Sequence, residues 1–89
     1  MIIAKQVHYV GRVQGVGFRY TTARLARSFD VAGSVRNLPN GEVELVVQGS
    51  DEQVDAFLAA IAERMADNIA NTRVEEKPTQ ALTRFTILR

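Results

Sequence analysis

Val7-His8-Tyr9-Val10-Gly11-Arg12-Val13-Gln14-Gly15-Val16-Gly17-Phe18-Arg19-Tyr20-Thr21-Thr22-Ala23-Arg24-Leu25-Ala26 changes its period half-way along. Between Val7 and Val13, the residues Val7, Tyr9 and Val13 alternate with His8 and Arg12, the period of a half-buried strand. Beyond Gly15 and Gly17 the spacing lengthens. Phe18, Thr22, Leu25, Ala26 and Phe29 fall on one face of a helix, with Arg24 and Arg27 on the outer side. A strand therefore runs through a glycine loop into an amphipathic helix that should end between Asp30 and Gly33.

The remaining chain repeats the pattern. A short strand reaches Asn37, and Leu38-Pro39-Asn40-Gly41 reads as a tight turn. Val43, Leu45 and Val47 alternate with Glu42, Glu44 and Gln48 in the returning strand. Ser50-Asp51-Glu52-Gln53 has the form of a capping box opening a second helix, with the stripe Val54, Phe57, Leu58, Ile61 and Met65. The polar segment 66–72 reads as a loop, and Val74–Lys77 and Phe85–Leu88 as short strands. The order is β-α-β-β-α-β, with room for one more short strand. One apolar stripe per helix and one apolar face per main strand are satisfied together by an α+β sandwich of ferredoxin-like plan. Two helices would pack on one face of a four- to five-stranded, mainly antiparallel sheet. The other face is left to solvent, where His8, Ser34, Glu44 and an exposed Val46 are expected.

Eighty-nine residues suit one domain spanning 1–89. Eleven basic against ten acidic residues give a net charge of +1, without the cationic excess of a general nucleic-acid binder. The strand at 42–48 also lacks the aromatics on which RNA bases stack. With no cysteine, disulfides, thiolate metal sites and a cysteine nucleophile are excluded, as is a ferredoxin-like metal carrier. The acidic residues are scattered and the single histidine, His8, falls in mid-strand, so neither a metal nor another cofactor is expected. The apolar run at the N-terminus is too short for a signal peptide or membrane span, and a cytoplasmic monomer without membrane attachment is the expectation.

The chemistry concentrates in Gly11–Arg19. Glycines between a strand and a helix let successive backbone N–H groups converge on an anion at the positive helix end. Neither the Walker nor the dinucleotide spacing is present. Arg19 would sit against the unfavourable end of the helix dipole, at a cost of up to about 1 kcal/mol. An anion between its guanidinium and the loop amides removes that conflict, and its planar fork matches phosphate oxygens. A solvated surface arginine is the alternative on these grounds alone. Asn37, before a turn, could equally bond its own backbone.

The run Gly-Arg-Val-Gln-Gly-Val-Gly-Phe-Arg at 11–19 resembles the signature of the acylphosphatase family. Gly33-Ser34-Val35-Arg36-Asn37, followed by Gly41, Val43 and Gly49, is similar to that family's second motif. The resemblance implies hydrolysis of small acyl phosphates, with inorganic phosphate as product and inhibitor. It assigns phosphate binding to Arg19, with the loop residues Gly15, Val16, Gly17 and Phe18 as the cradle. Asn37 becomes the residue that orients water, and Thr22 a possible support on the first helix. Ser34 departs from the bulkier residue usual there, and 67–71 lacks the customary Gly-Pro; both departures fall outside the catalytic positions.

The residue inventory agrees with that implication. Phosphate monoesters have poor leaving groups and usually need a metal, a covalent nucleophile or a general acid. An acyl phosphate expels a carboxylate, so positioning water and stabilising phosphoryl oxygens suffices. Asn37 is neutral and can orient water without accepting its proton, which leaves a substrate phosphate oxygen as acceptor. Glu42 and Glu44 read as a solvated face, and Arg12 and Arg36 as surface charges. A non-enzymatic phosphate- or anion-binding module of the same fold is the alternative reading.

Overall fold

A computed structural model describes residues 1–89. The elements are β1 (Ile2–Gly11), α1 (Phe18–Ala26), β2 (Val31–Asn37), β3 (Val43–Ser50), α2 (Asp51–Arg64), β4 (Ile69–Lys77) and β5 (Phe85–Ile87). They form one five-stranded sheet in the order β4-β1-β3-β2-β5. All neighbours are antiparallel except β2 and β5, which run parallel. The expected α+β plan is therefore present, with β5 as the additional short strand.

Alternation places the core. Val7 and Tyr9 of β1, Val43, Leu45 and Val47 of β3 and Val35 of β2 turn inward and are buried, as are Phe18 and Ala26 of α1 and Val54, Phe57 and Ile61 of α2. Phe29, Phe57 and Phe85 pack in sequence, tilted and then edge-to-face, with ring centroids 5.7 Å apart at each step, joining the α1–β2 connection, α2 and β5. Burying an aromatic or aliphatic side chain of this size contributes about 1.5–3 kcal/mol. No helix is long and apolar enough to cross a membrane.

Several boundaries differ from the sequence reading. β1 starts at Ile2 and ends at Gly11, where the register with β4 shifts; Val13 is buried from the loop, not from the strand. α1 stops at Ala26, so Phe29 reaches the core from a bend. The segment 66–72 is a tight turn followed by the start of β4 at Ile69. The Val74–Lys77 strand of the sequence reading is the second half of β4; its first half was hidden because, as an edge strand with β1 as its one partner, β4 exposes nearly every side chain and shows no apolar alternation. The capping box is half formed. Ser50 Oγ accepts from Gln53 N–H at 3.2 Å, but the Gln53 side chain turns away to accept from Asp30 N–H at 2.8 Å, tying α2 to the start of β2.

The sheet face opposite the helices is polar but not freely solvated. His8 Nε2 lies 3.3 Å from Glu44 Oε2, and Glu44 also accepts from Arg36 Nε at 2.8 Å and Gln6 Nε2 at 3.0 Å. His8 is consequently only 17% exposed at its side chain, because paired strands hold it between opposite charges. Arg73 on β4 binds both carboxylate oxygens of Glu42, at 2.8 and 3.3 Å, and this holds the Glu42 carboxyl below its ordinary range. Glu42 and Glu44 are thus sheet ties. Val46 is half-buried, since residues 80–84 pass over this face and Gln80 pairs twice with Gln48. Ser34 lies on the same face, opposite Val46 and Thr86.

Candidate active site

The β1–α1 loop takes its shape from two glycines. Gly15 (φ +76°) and Gly17 (φ +78°) are left-handed, a conformation that costs other residues about 1–2 kcal/mol. Nothing stands within 4 Å of a Cβ at either position, so backbone conformation alone demands glycine. Gly17 also precedes α1, which leaves the helix without a side-chain cap, and its first turn carries no acidic residue. The first helical bond runs from Thr21 N–H to the Gly17 carbonyl at 2.9 Å. The N–H groups of residues 15–20 meet no acceptor within the protein. Unpaired amides at the positive end of a helix form an anion site.

These amides border an open cavity of about 270 Å³. Gly15, Gly17, Phe18 and Arg19 line it from the loop, Asn37 from the end of β2, and Ile87 and Arg89 from the C-terminal end. No acidic side chain contributes to the lining. Phe18 is anchored below it, its ring 5.0 Å from that of Tyr9, a phenol whose pKa burial raises. Arg19 Nη1 donates to the Leu88 carbonyl at 3.3 Å, one tether that fixes the guanidinium and leaves its other donors unengaged. Asn37 shares the helix-facing side of β2 with Val35. Its Oδ1 is covered and accepts no hydrogen bond within the protein. A covered acceptor in that state costs about 1–3 kcal/mol, relieved when a donor reaches it.

Of the residues singled out from the sequence, Arg19, Asn37, Gly15, Gly17 and Phe18 meet at this cavity. Val16 stands at the loop tip, half-exposed and outside the lining. Thr22 lies on the buried face of α1, its Oγ1 without a partner, and does not line the cavity.

Four contributors had no such reading. Gln14 Nε2 donates to the Leu38 carbonyl at 2.7 Å and the Glu42 carbonyl at 2.9 Å, clamping the loop to the hairpin that follows Asn37. Its place in the signature run was visible, but its acceptors are backbone atoms that no sequence pattern marks. Asn68 makes a second clamp, with its carbonyl accepting from Arg12 N–H at 2.9 Å and its Nδ2 donating to the Arg12 carbonyl at 3.1 Å. Ile87 and Arg89 enter because β5 runs parallel to β2, a pairing that alternation alone does not reveal. Nowhere do three or more His, Cys, Asp or Glu side chains converge as a metal-ligand set.

Residues 5–87 match the acylphosphatase family. An acylphosphatase of Acaryochloris marina is 37% identical over 89 residues, covering 99% of this chain and 96% of its own. One from Archaeoglobus fulgidus is 45% identical over 60 residues, 67% of each chain. The crystal structure of acylphosphatase from Bacillus subtilis superposes with a TM-score of 0.88 at 28% identity, covering all of both chains.

Proposed function

The chain belongs to the acylphosphatase family, and from that premise we propose that Arg19, Asn37 and the 15–19 loop carry out hydrolysis of small acyl phosphates. The phosphoryl group rests on the loop amides, and Arg19 binds its oxygens through the donors that Leu88 does not take. Asn37, whose side chain lines the cavity, orients a water and aims its oxygen at phosphorus, in line with the acyl oxygen. As the new P–O bond forms, the P–O bond to the acyl group breaks and the carboxylate leaves with the electron pair. The water proton passes to a phosphoryl oxygen, because a neutral carboxamide cannot hold it. The products are carboxylate and inorganic phosphate, and the latter competes for the cradle.

The observation that carries this reading is the meeting of unpaired loop amides, Arg19 and an unpartnered Asn37 acceptor around one cavity without acidic residues. The test is release of phosphate from benzoyl phosphate in the presence of chelator. Arg19→Ala should lose phosphate inhibition along with turnover, by about 10³-fold in kcat/KM, the scale of an oxyanion donor. Asn37→Ala should lower kcat by a similar factor while phosphate still inhibits. Folded wild-type protein that releases no phosphate would overturn the proposal.

A further inference from the structure

The cavity does not end at its apolar wall. Tyr20 and Ile87 also border a groove of about 290 Å³ that continues along α1 against β5, lined otherwise by Ala23, Ala26, Val31 and Phe85 and by Arg24 and Arg27. Tyr20 is 63% exposed and Ile87 39%, although neither is needed to bind an anion. Single exposed apolar residues are ordinary, but these two join one groove to a polar cradle. The Arg24 guanidinium lies 5.9 Å over the Tyr20 ring and holds it at the junction.

The direction of the groove fits the chemistry. β5 pairs parallel with β2, Gly33 opposite Phe85 and Val35 opposite Ile87, so the groove leads from the Asn37 end of β2 back toward Val31. In-line displacement places the leaving group opposite the attacking water. With water held at Asn37, the acyl group departs away from Asn37 and toward this groove. Residues 20 and 27 on the helix side are separated by about 10 Å of rise, the length of a chain of several carbons.

We propose that this groove is the acyl subsite, and that the substrates it favours are acyl phosphates with a straight apolar chain of several carbons. The inference rests on the proposed roles of Arg19 and Asn37. Because the groove holds chain atoms that do not react, it binds ground state and transition state alike. Longer chains then lower KM and leave kcat unchanged.

The experiment is a series from acetyl through butanoyl and hexanoyl to octanoyl phosphate. Each added methylene should raise kcat/KM about two- to fourfold, the range between half and full burial of a CH₂, until the groove is filled. Ala23→Gln, which puts a neutral polar side chain into the groove, should shrink the octanoyl-to-acetyl ratio of kcat/KM toward unity. That ratio is internal to each protein, and the wild-type series stands without the variant. In NMR, hexylphosphonate should shift the methyl signals of Ala23 and Val31, which line the groove alone, as well as the loop amides, whereas inorganic phosphate should leave those two methyls unmoved. A flat series with acetyl phosphate turned over, or hexylphosphonate shifts confined to residues 15–19, would overturn the acyl subsite and leave the hydrolytic reading intact. Failure to turn over any member would overturn that reading first.

Discussion

Removing the Gln14 carboxamide should uncouple the two halves of the site while leaving each half in place. Its Nε2 carries two N–H donors, and both are engaged, one by the Leu38 carbonyl and one by the Glu42 carbonyl. Arg19 and the amide cradle lie on the loop side of this clamp, and Asn37 lies on the hairpin side. Two neutral hydrogen bonds contribute about 0.5–1.5 kcal/mol each, so Gln14→Ala should cost about 1–3 kcal/mol in unfolding free energy. The kinetic cost is a matter of aim. A displacement near 1 Å between water and phosphorus can lower a rate about 100-fold. Inorganic phosphate sees only the loop side, so its inhibition constant should change by less than about threefold while kcat drops about 10- to 100-fold.

Gln14→Glu separates donor chemistry from packing. The side chain keeps its size but turns two donors into a carboxylate facing two carbonyl oxygens, and it should be at least as damaging as alanine. Steady-state kinetics on benzoyl phosphate, phosphate inhibition and urea unfolding measure all three quantities. A double-mutant cycle with Asn37→Ala completes the test, since the kcat effect of Gln14→Ala should largely vanish where Asn37 is already gone. Full multiplicativity in that cycle, or equal loss of phosphate binding and turnover in Gln14→Ala, would refute the reasoning.

Other expectations follow from single features. Gly17→Ala has space for its methyl group but must keep φ near +78°, so it should lose about 1–2 kcal/mol in chemical denaturation and weaken phosphate inhibition as the loop relaxes. Gly33→Ala would set a Cβ 1.9 Å from the Val46 carbonyl oxygen, and the protein should express poorly or unfold far earlier on heating. Arg73 holds Glu42 ionised below the usual carboxylate range, so that pair's stabilisation is present above about pH 4.5 and is lost as the pH falls through the lowered value. Arg73→Gln should therefore show less loss of stability between pH 6 and pH 3 than wild type, by urea unfolding at each pH. Asn68→Ala frees the Arg12 carbonyl and should cost about 1 kcal/mol, with a smaller effect on kcat than Gln14→Ala because Arg12 lies further from Arg19 along the loop.

Where side chains alternate against a core, the fold was open to reading before any coordinates. Val43, Leu45 and Val47, and the stripe Val54, Phe57 and Ile61, each report a face that the structure buries completely. The first half of β4, before the Val74–Lys77 stretch read as a strand, gave no such report, since one partner strand and solvent impose no alternation. The cavity was half visible for the same kind of reason. Gly15, Gly17 and Arg19 announce a loop that must turn left-handed and face an anion. Gln14 acts on backbone carbonyls, and Ile87 and Arg89 arrive through a parallel pairing more than fifty residues from Val31; neither leaves a local trace.

That pairing explains why the site forms where it does. β3 lies between β1 and β2, so the strand feeding the loop and the strand ending in Asn37 stand two spacings apart, about 10 Å. No backbone contact can join them across that gap. The antiparallel β3 begins at this same end, and the hairpin leading into it offers the carbonyls that Gln14 grips. β5, parallel to β2, delivers its own C-terminal end there too, which is how the Leu88 carbonyl comes to meet Arg19. A long side chain on the loop, a short amide on β2 and a carbonyl after β5 can then converge on one small anion. The amide and the carbonyl are fixed by strand ends, and Arg19 by the glycine loop that opens α1. Lys at position 19 would keep the charge but lose the fork that can hold the Leu88 carbonyl and phosphoryl oxygens at once, so charge conservation alone should not preserve the site.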